Sequence, residues 1–163
     1  MMAGMDSTGP AFALRHTLAT LAYRTARAVA DAPPEFAKFE LGADPKTPER
    51  ILAHMGDLMD WALSLVEGNQ KWQVSVPLPW NDEVTRFFRV LESLDRAIAT
   101  TEVDSVTVDR LFQGPIADAL THTGQLAMLR RLAGCPIRGE NYFVAEITVG
   151  RAGFDQPAPR KPF

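Results

Sequence analysis

Cysteine is nearly absent from this chain: its 163 residues contain a single one, Cys135. One thiol cannot form an intramolecular disulfide or a cysteine-based zinc site, which excludes disulfide scaffolds and zinc fingers and is typical of a reducing compartment. Histidine is also scarce, with three residues. Any protein-bound metal ion would therefore take its ligands from His16, His54, His122 and the carboxylates.

Long apolar runs and an excess of positive charge are missing as well. Arg, Asp or His interrupts the apolar stretches every few residues, and the N-terminal stretch lacks the basic region of a signal peptide. A net charge of -3 provides no general attraction for nucleic acid or anionic lipid. We therefore expect a cytoplasmic protein that binds neither nucleic acid nor membranes.

What the chain does contain is apolar residues at three- and four-residue spacings, which predict amphipathic helices. The predicted helices cover residues 11–30, 48–68, 81–100 and 115–133, with a short turn over 106–112. Thr47 followed by proline and Asn81 are typical of helix N-termini, and Gly134 of a C-terminus. Four such helices share one core in a four-helix bundle, so the predicted fold class is all-α.

The length predicts a single domain over residues 1–163. The bundle would occupy about residues 11–134, and residues 135–163 would form a C-terminal extension. Its last stretch, FDQPAPRKPF, is rich in proline and is expected to lie extended on the surface or on a neighbour.

A candidate metal site emerges from helical geometry. At about 100° per residue, His54 falls within the apolar stripe of the second helix, with Leu58, and is therefore predicted to point at the core. On the fourth helix, Asp118 and His122 lie one turn apart on one face, so both side chains can reach one ion. Two imidazoles and a carboxylate leave coordination positions open, as a catalytic metal site requires. Gln125, at the edge of the same face, is placed to orient a ligand or a bound water.

Each of these residues also has a structural interpretation. A buried histidine is commonly satisfied by a backbone carbonyl, and Asp118, soon after Pro115, could complement the positive end of the helix. An aspartate that faces a bundle core without a cation or several donors costs several kcal/mol, however. The combination of His54, Asp118 and His122 therefore favours the metal site.

The remaining polar residues are expected to play structural roles. His16 lies on a different side of the first helix and is predicted at the surface, whereas Cys135 is predicted to be a small buried residue. Arg130 and Arg131 are expected to form a solvated helical end. The three tryptophans fit core and pocket-wall positions equally, and Glu140 and Glu146 follow the bundle in a segment that could cover one end of a pocket.

Two segments carry a family resemblance. ILAHMGDLMDWALSL, with its early His54, and ADALTHTGQLAMLRRLAG, with His122 and Gln125, resemble the DinB/YfiT-like superfamily. The resemblance extends from the first helix to about Gly134. It implies a four-helix bundle in up-down-down-up order, a divalent ion usually held by three histidines, and homodimers.

The family pattern is carried over with one departure. The histidine of its second helix falls on His54, and the second histidine of its H-x-x-x-H motif falls on His122. The first histidine of that motif falls on Asp118, an anionic oxygen donor that would partly neutralise the ion. Characterised relatives are thiol-dependent transferases and isomerases, and others are described as metal-dependent hydrolases. In such chemistry the ion would bind the cofactor thiol and lower its pKa.

Three functional hypotheses follow. The first is a DinB-like enzyme whose divalent ion, Zn²⁺ or Ni²⁺ for preference, activates a low-molecular-weight thiol or water against a small electrophilic substrate. The alternative is a non-catalytic stress or partner-binding bundle with a degenerate metal site, of which Asp118 would be the trace. A two-histidine-one-carboxylate iron oxygenase fits the ligand set, but such sites usually occur in β-barrels.

Overall fold

The computed structural model of the chain describes residues 9–43 and 46–163, and α-helix dominates them. Its five α-helices are α1 (Pro10–Val29), α2 (Pro48–Val66), α3 (Trp80–Thr100), α4 (Ser105–Leu111) and α5 (Ala117–Leu132). Short 3₁₀ turns at Pro34–Lys38 and Tyr142–Val144 complete the regular structure, and no β-strand occurs in the two described ranges. The predicted all-α class is confirmed. None of these helices is both long and apolar enough to cross a lipid bilayer.

The fourth helix of the bundle begins earlier than its sequence suggests. Of residues 106–112, expected as a turn, 106–111 are helical in α4, and Phe112 begins the π-helical turn at Phe112–Ile116 that joins α4 to α5. Pro115 lies inside that turn. Because proline has no N–H and its ring crowds the preceding turn, a widened turn lets the helix continue where a regular α-helix would break.

Contacts between α1 and α5 fix their relative direction. The hydroxyls of Thr25 and Thr123 are 2.9 Å apart. Further along both helices, Arg130 Nη1 donates to the carbonyl of Ala28 at 3.2 Å. Both pairs advance together, so α1 and α5 run parallel.

The middle helices α2 and α3 also run parallel to each other. Near their starts, Glu49 and Asn81 line one cavity, and further along, Arg86 Nη2 lies 2.9 Å from Asp57 Oδ1. A connection over residues 67–79, extended and without helix, carries the chain back between them.

Helices α2 and α5 run antiparallel to each other. Ile51 of α2 and Leu129 of α5 line one cavity, whereas His54, later in α2, lies beside Asp118, earlier in α5. The four helical rods α1, α2, α3 and α4–α5 therefore run up, down, down and up.

The core lies between these rods and is built of aliphatic and aromatic side chains. Its buried side chains from α3 lie at helical spacings and are Phe87, Phe88, Leu91, Leu94 and Ile98. Those from α2 include the row next to His54 and two residues outside it: Leu52, Met55, Met59, Ala62 and Val66, with Ile51 and Leu58. The row on α2 decides where the candidate site lies.

Helix ends follow the predictions in part. Thr47 occupies the N-cap of α2 with proline next, but its side chain makes no capping bond. Helix α3 begins at Trp80, so Asn81 lies within its first turn rather than capping it. Gly134 adopts φ +76° after α5, a conformation that favours glycine, and ends the helix as expected.

Arg130 corrects the expectation of a solvated arginine pair. Its side chain is buried, and it donates to the carbonyls of Ala28, Ala30 and Cys135. The first two carbonyls lie at the end of α1, where a helix leaves such groups unpaired. Arg131, the next residue, is exposed as expected.

The C-terminal extension lies on the bundle. Tyr23 of α1 donates to Glu140 Oε2 at 2.7 Å, and Arg27 Nε donates to Glu140 Oε1 at 2.9 Å. The proline-rich end returns to the same segment, since Asn141 N donates to the Lys161 carbonyl at 2.9 Å. The extended tail therefore covers its own chain.

Candidate metal centre

The three predicted ligands come together in the groove between α2 and α5. One ligand atom each from His54, Asp118 and His122 lies within 4.8 Å of the other two. Asp118 Oδ2 is 3.4 Å from His54 Nε2, and Asp118 Oδ1 is 3.4 Å from His122 Nε2. The carboxylate thus lies between the two imidazoles.

The group lies at the rim of the bundle, not in its interior. The side chains of His54, Asp118 and His122 are 39%, 45% and 14% exposed. The prediction that His54 points into the core is corrected, because 39% of its side chain is exposed, whereas Met55 and Met59 on the adjacent row of α2 are fully buried. His54 shares its own row with Leu58, which is buried in the core, and with Trp61, which is partly buried against it, so His54 lies where that row reaches the surface. A rim position spares the ligands most of the cost of desolvation.

Gln125 fixes the ring of His122. The distance between His122 Nδ1 and Gln125 Oε1 is 2.7 Å. An amide oxygen only accepts hydrogen bonds, so Nδ1 is the donor in this contact, and in the neutral ring Nε2 is the unprotonated nitrogen on the side of Asp118. Metal-binding histidines are commonly held in this way by a partner on their other nitrogen.

The π-helical turn positions Asp118. Because the turn at Phe112–Ile116 contains more residues than an α-helical turn, it changes the face on which the following side chains lie. Asp118 lies in the first turn of α5, directly after it. Sequence periodicity gives the spacing of Asp118 and His122, and their contacts with His54 show that both face α2.

Aromatic rings extend the site along α2. The ring centroids of His122 and His54 are 5.0 Å apart, those of His54 and Trp72 6.0 Å, and those of Trp72 and Trp61 5.7 Å, all in edge-to-face contact. Trp80 lies elsewhere and packs on Phe36. The structure therefore places Trp61 and Trp72 beside the group and Trp80 away from it, although the sequence does not distinguish the three. The only sequence signal for this row is that Trp61 lies on the same face of α2 as His54.

Several candidate residues lie outside the group. His16 is exposed on α1, as predicted. Cys135 is partly buried against the core and is a free thiol. Glu140, considered for the pocket, binds Tyr23 and Arg27 on α1, and Glu146 pairs with Arg160 at 2.9 Å, which lowers the pKa of its carboxyl.

Space for a small molecule lies next to the group. A surface cavity of about 240 Å³ is lined by Gln125 together with Ile51, Met128 and Leu129, whereas His54, Asp118 and His122 are not among its walls. Its lining is mainly apolar, which suits a small organic ligand.

Comparisons with family models, with curated proteins and with solved structures gave no significant match. The resemblance to the DinB-like superfamily therefore depends on the two sequence segments around His54 and His122.

Proposed function

We propose that His54, Asp118 and His122 bind a divalent cation, Zn²⁺ or Ni²⁺, and that the protein is a metal-dependent enzyme of DinB-like type. The observation that supports the ion most is the arrangement of the acceptors. With Nδ1 of His122 protonated, the Nε2 lone pair faces a carboxylate oxygen at 3.4 Å. Two acceptors that face each other repel unless a cation or a proton lies between them.

The spacing of the donor atoms suits such an ion. Ligand atoms about 2.1 Å from a tetrahedral ion are about 3.4 Å apart. Each carboxylate oxygen of Asp118 is 3.4 Å from one imidazole nitrogen, and one ligand atom from each of the three residues lies within 4.8 Å of the other two. The set of two nitrogens and one carboxylate is one that Zn²⁺ and Ni²⁺ accept. Three protein ligands leave at least one coordination position free for a substrate.

At this site the ion and the protein would have different chemical roles. A bound divalent ion supplies the positive charge that lowers the pKa of a coordinated thiol or water. Asp118 supplies the anionic ligand, and Gln125 keeps the His122 ring in its ligating orientation. The partial exposure of His54 and Asp118 admits a small electrophilic substrate, and the neighbouring apolar cavity can hold its non-reacting part.

The family resemblance supports the same proposal. Its up-down-down-up order agrees with the helix directions of the bundle, and its ligand positions coincide with the three side chains of the group. The cytoplasmic location, the homodimer and the use of a low-molecular-weight thiol remain predictions from sequence.

Activity assays test the enzyme. Zn²⁺- and Ni²⁺-loaded protein is incubated with glutathione, bacillithiol or mycothiol and a chloronitrobenzene, and separately with a nitrophenyl ester to detect hydrolysis. We expect thiol- or water-dependent turnover that falls at least tenfold in Asp118→Ala and is unchanged in His16→Ala. Ion binding without turnover of either substrate class would favour the non-catalytic alternative, and oxygen consumption by Fe²⁺-loaded protein would favour an oxygenase.

A further inference from the structure

Trp72 lies outside the helices and packs beside the candidate ion site. Its ring lies edge-to-face against His54 at 6.0 Å and against Trp61 at 5.7 Å, so it spans the row of α2 that carries both residues. At the same time 47% of the residue is exposed. An indole that borders a metal ligand and faces solvent offers a flat apolar surface to whatever occupies the ion's free position.

Hydrogen bonds hold the chain on both sides of Trp72. The amide of Lys71, the preceding residue, donates to Ser64 Oγ at 3.0 Å. Three residues after Trp72, the amide of Ser75 donates to Asp57 Oδ2 at 3.0 Å. Both acceptors are side chains of α2, so the connection is fastened to the helix that carries His54.

Arg86 of α3 reinforces the second attachment. Its guanidinium lies 2.9 Å from Asp57 Oδ1 and 3.2 Å from Ser75 Oγ, and its Nε lies 3.0 Å from the buried carboxylate of Glu83. Glu83 in turn accepts from the amide of Leu78 at 2.9 Å. Charged and neutral hydrogen bonds thus fix a segment that has no helix or strand of its own, and they set the position of the Trp72 ring.

We infer that Trp72 forms a wall of the ligand site at the ion's free position and selects ligands that carry an aromatic or flat apolar group. This inference rests on the proposed ion site. The connection that carries Trp72 is hydrogen-bonded to α2, so this wall is already ordered before a ligand binds. Ordering it therefore costs little of the ligand's binding free energy.

The test measures ligand discrimination at constant metal occupancy. Co²⁺-loaded protein is titrated with benzohydroxamate and with acetohydroxamate, which share one metal-binding group and differ in phenyl against methyl, and the visible absorption of Co²⁺ reports binding. We expect the affinity ratio, benzohydroxamate over acetohydroxamate, to be about five- to tenfold higher in the wild type than in Trp72→Ala. Trp72→Phe should keep most of the ratio, and Co²⁺ affinity should stay within about twofold in all variants.

Two further variants make the outcome decisive. Trp72→Gln, whose side chain is polar and long, should lose the discrimination as Trp72→Ala does, and it replaces that variant if the smaller residue lowers expression. Trp80→Phe, distant from the site, should keep it. An unchanged ratio in Trp72→Ala and Trp72→Gln with Co²⁺ bound would overturn the inference alone, whereas failure of the wild type to bind Co²⁺ would overturn the ion site and the inference together.

Discussion

His122 Nδ1 lies 2.7 Å from Gln125 Oε1, and on the opposite side of the same ring Nε2 lies 3.4 Å from Asp118 Oδ1. The imidazole of His122 thus contacts Gln125, which orients the ring, on one side and Asp118, another proposed ligand, on the other. All three residues belong to α5, so a single helix supplies two proposed ligands and the group that orients one of them.

The orienting role of Gln125 predicts a loss of metal affinity without loss of a ligand. Gln125→Leu should lower the affinity for Zn²⁺ about tenfold or more, since partners of metal-binding histidines are generally worth about 10–100-fold. Gln125→Glu keeps an oxygen acceptor and should retain the wild-type affinity or exceed it. Competition with a chromogenic chelator measures both variants, and equal affinities for Gln125→Leu and the wild type would contradict the role.

Gly56 on α2 predicts a stability change of unexpected sign. A Cβ at this position would lie 2.5 Å from Nη2 of Arg86. Alanine in a helix is normally favoured over glycine by about 1 kcal/mol, but here it would displace a guanidinium that holds Asp57, Glu83 and the connection. We expect Gly56→Ala to lower the free energy of unfolding in urea. Gly124→Ala, where a Cβ meets open space on α5, is the matched control and should raise it.

Asp60 predicts a pH dependence. Partial burial of a side chain that is still 51% exposed is the main cause that raises the pKa of its carboxyl, opposed by Arg86 at 3.1 Å and reinforced by Asp57. Since the folded-state pKa lies above the unfolded one, the stability that Asp60 contributes is present below about pH 4, the usual range for aspartate, and is lost as pH rises through the folded-state pKa. Ionised Asp60 therefore weakens the fold at pH 7.

Asp60→Asn should remove that effect. We expect the variant to be more stable than the wild type in urea at pH 7, with a difference that shrinks towards pH 4. Asp57→Asn is the contrast, because this buried carboxylate holds both Arg86 and the Ser75 amide, and it should destabilise the protein at pH 7. Destabilisation by Asp60→Asn at pH 7 would show that its pairing with Arg86 outweighs the burial.

The two arginines at the end of α5 form a matched pair. Arg130→Ala leaves the carbonyls of Ala28 and Ala30 without their donor and should cost about 2–3 kcal/mol of unfolding free energy. Arg131→Ala changes an exposed side chain and should stay within about 0.5 kcal/mol. Thermal and urea unfolding measure both, and equal losses would contradict the structural role of Arg130.

The spacing of apolar residues predicts helices and helix faces, but it does not predict how the helices pack or where one turn is irregular. The helices and the shared face of Asp118 and His122 follow from spacing alone. The rim position of His54 does not, because adjacent rows of α2 are both apolar and both contribute buried residues, Met55 from one and Leu58 from the other, so only packing shows that His54 lies at the surface. The π-helical turn at Pro115 leaves no periodic signal either, since proline normally indicates a helix start.

Contacts between distant segments are equally invisible in the sequence. From the sequence, Arg130 is expected to be a solvated cation, and only the folded structure shows that it binds carbonyls at the end of α1. Trp72 lies in a connection without periodicity, and only the bonds from its neighbours to α2 place it beside His54. The sequence therefore predicts the ligands better than the surroundings that would select a substrate.

The metal content of the protein tests the central claim most directly. Protein purified without a metal-affinity resin and supplied with Zn²⁺ or Ni²⁺ during growth is analysed for metals, together with His122→Ala, Asp118→Ala and the control His16→Ala. We predict close to one divalent ion per chain in the wild type and in His16→Ala, and loss of the ion in the other two variants. Retention of the ion in both His122→Ala and Asp118→Ala, or its absence from the wild type, would contradict the proposed site.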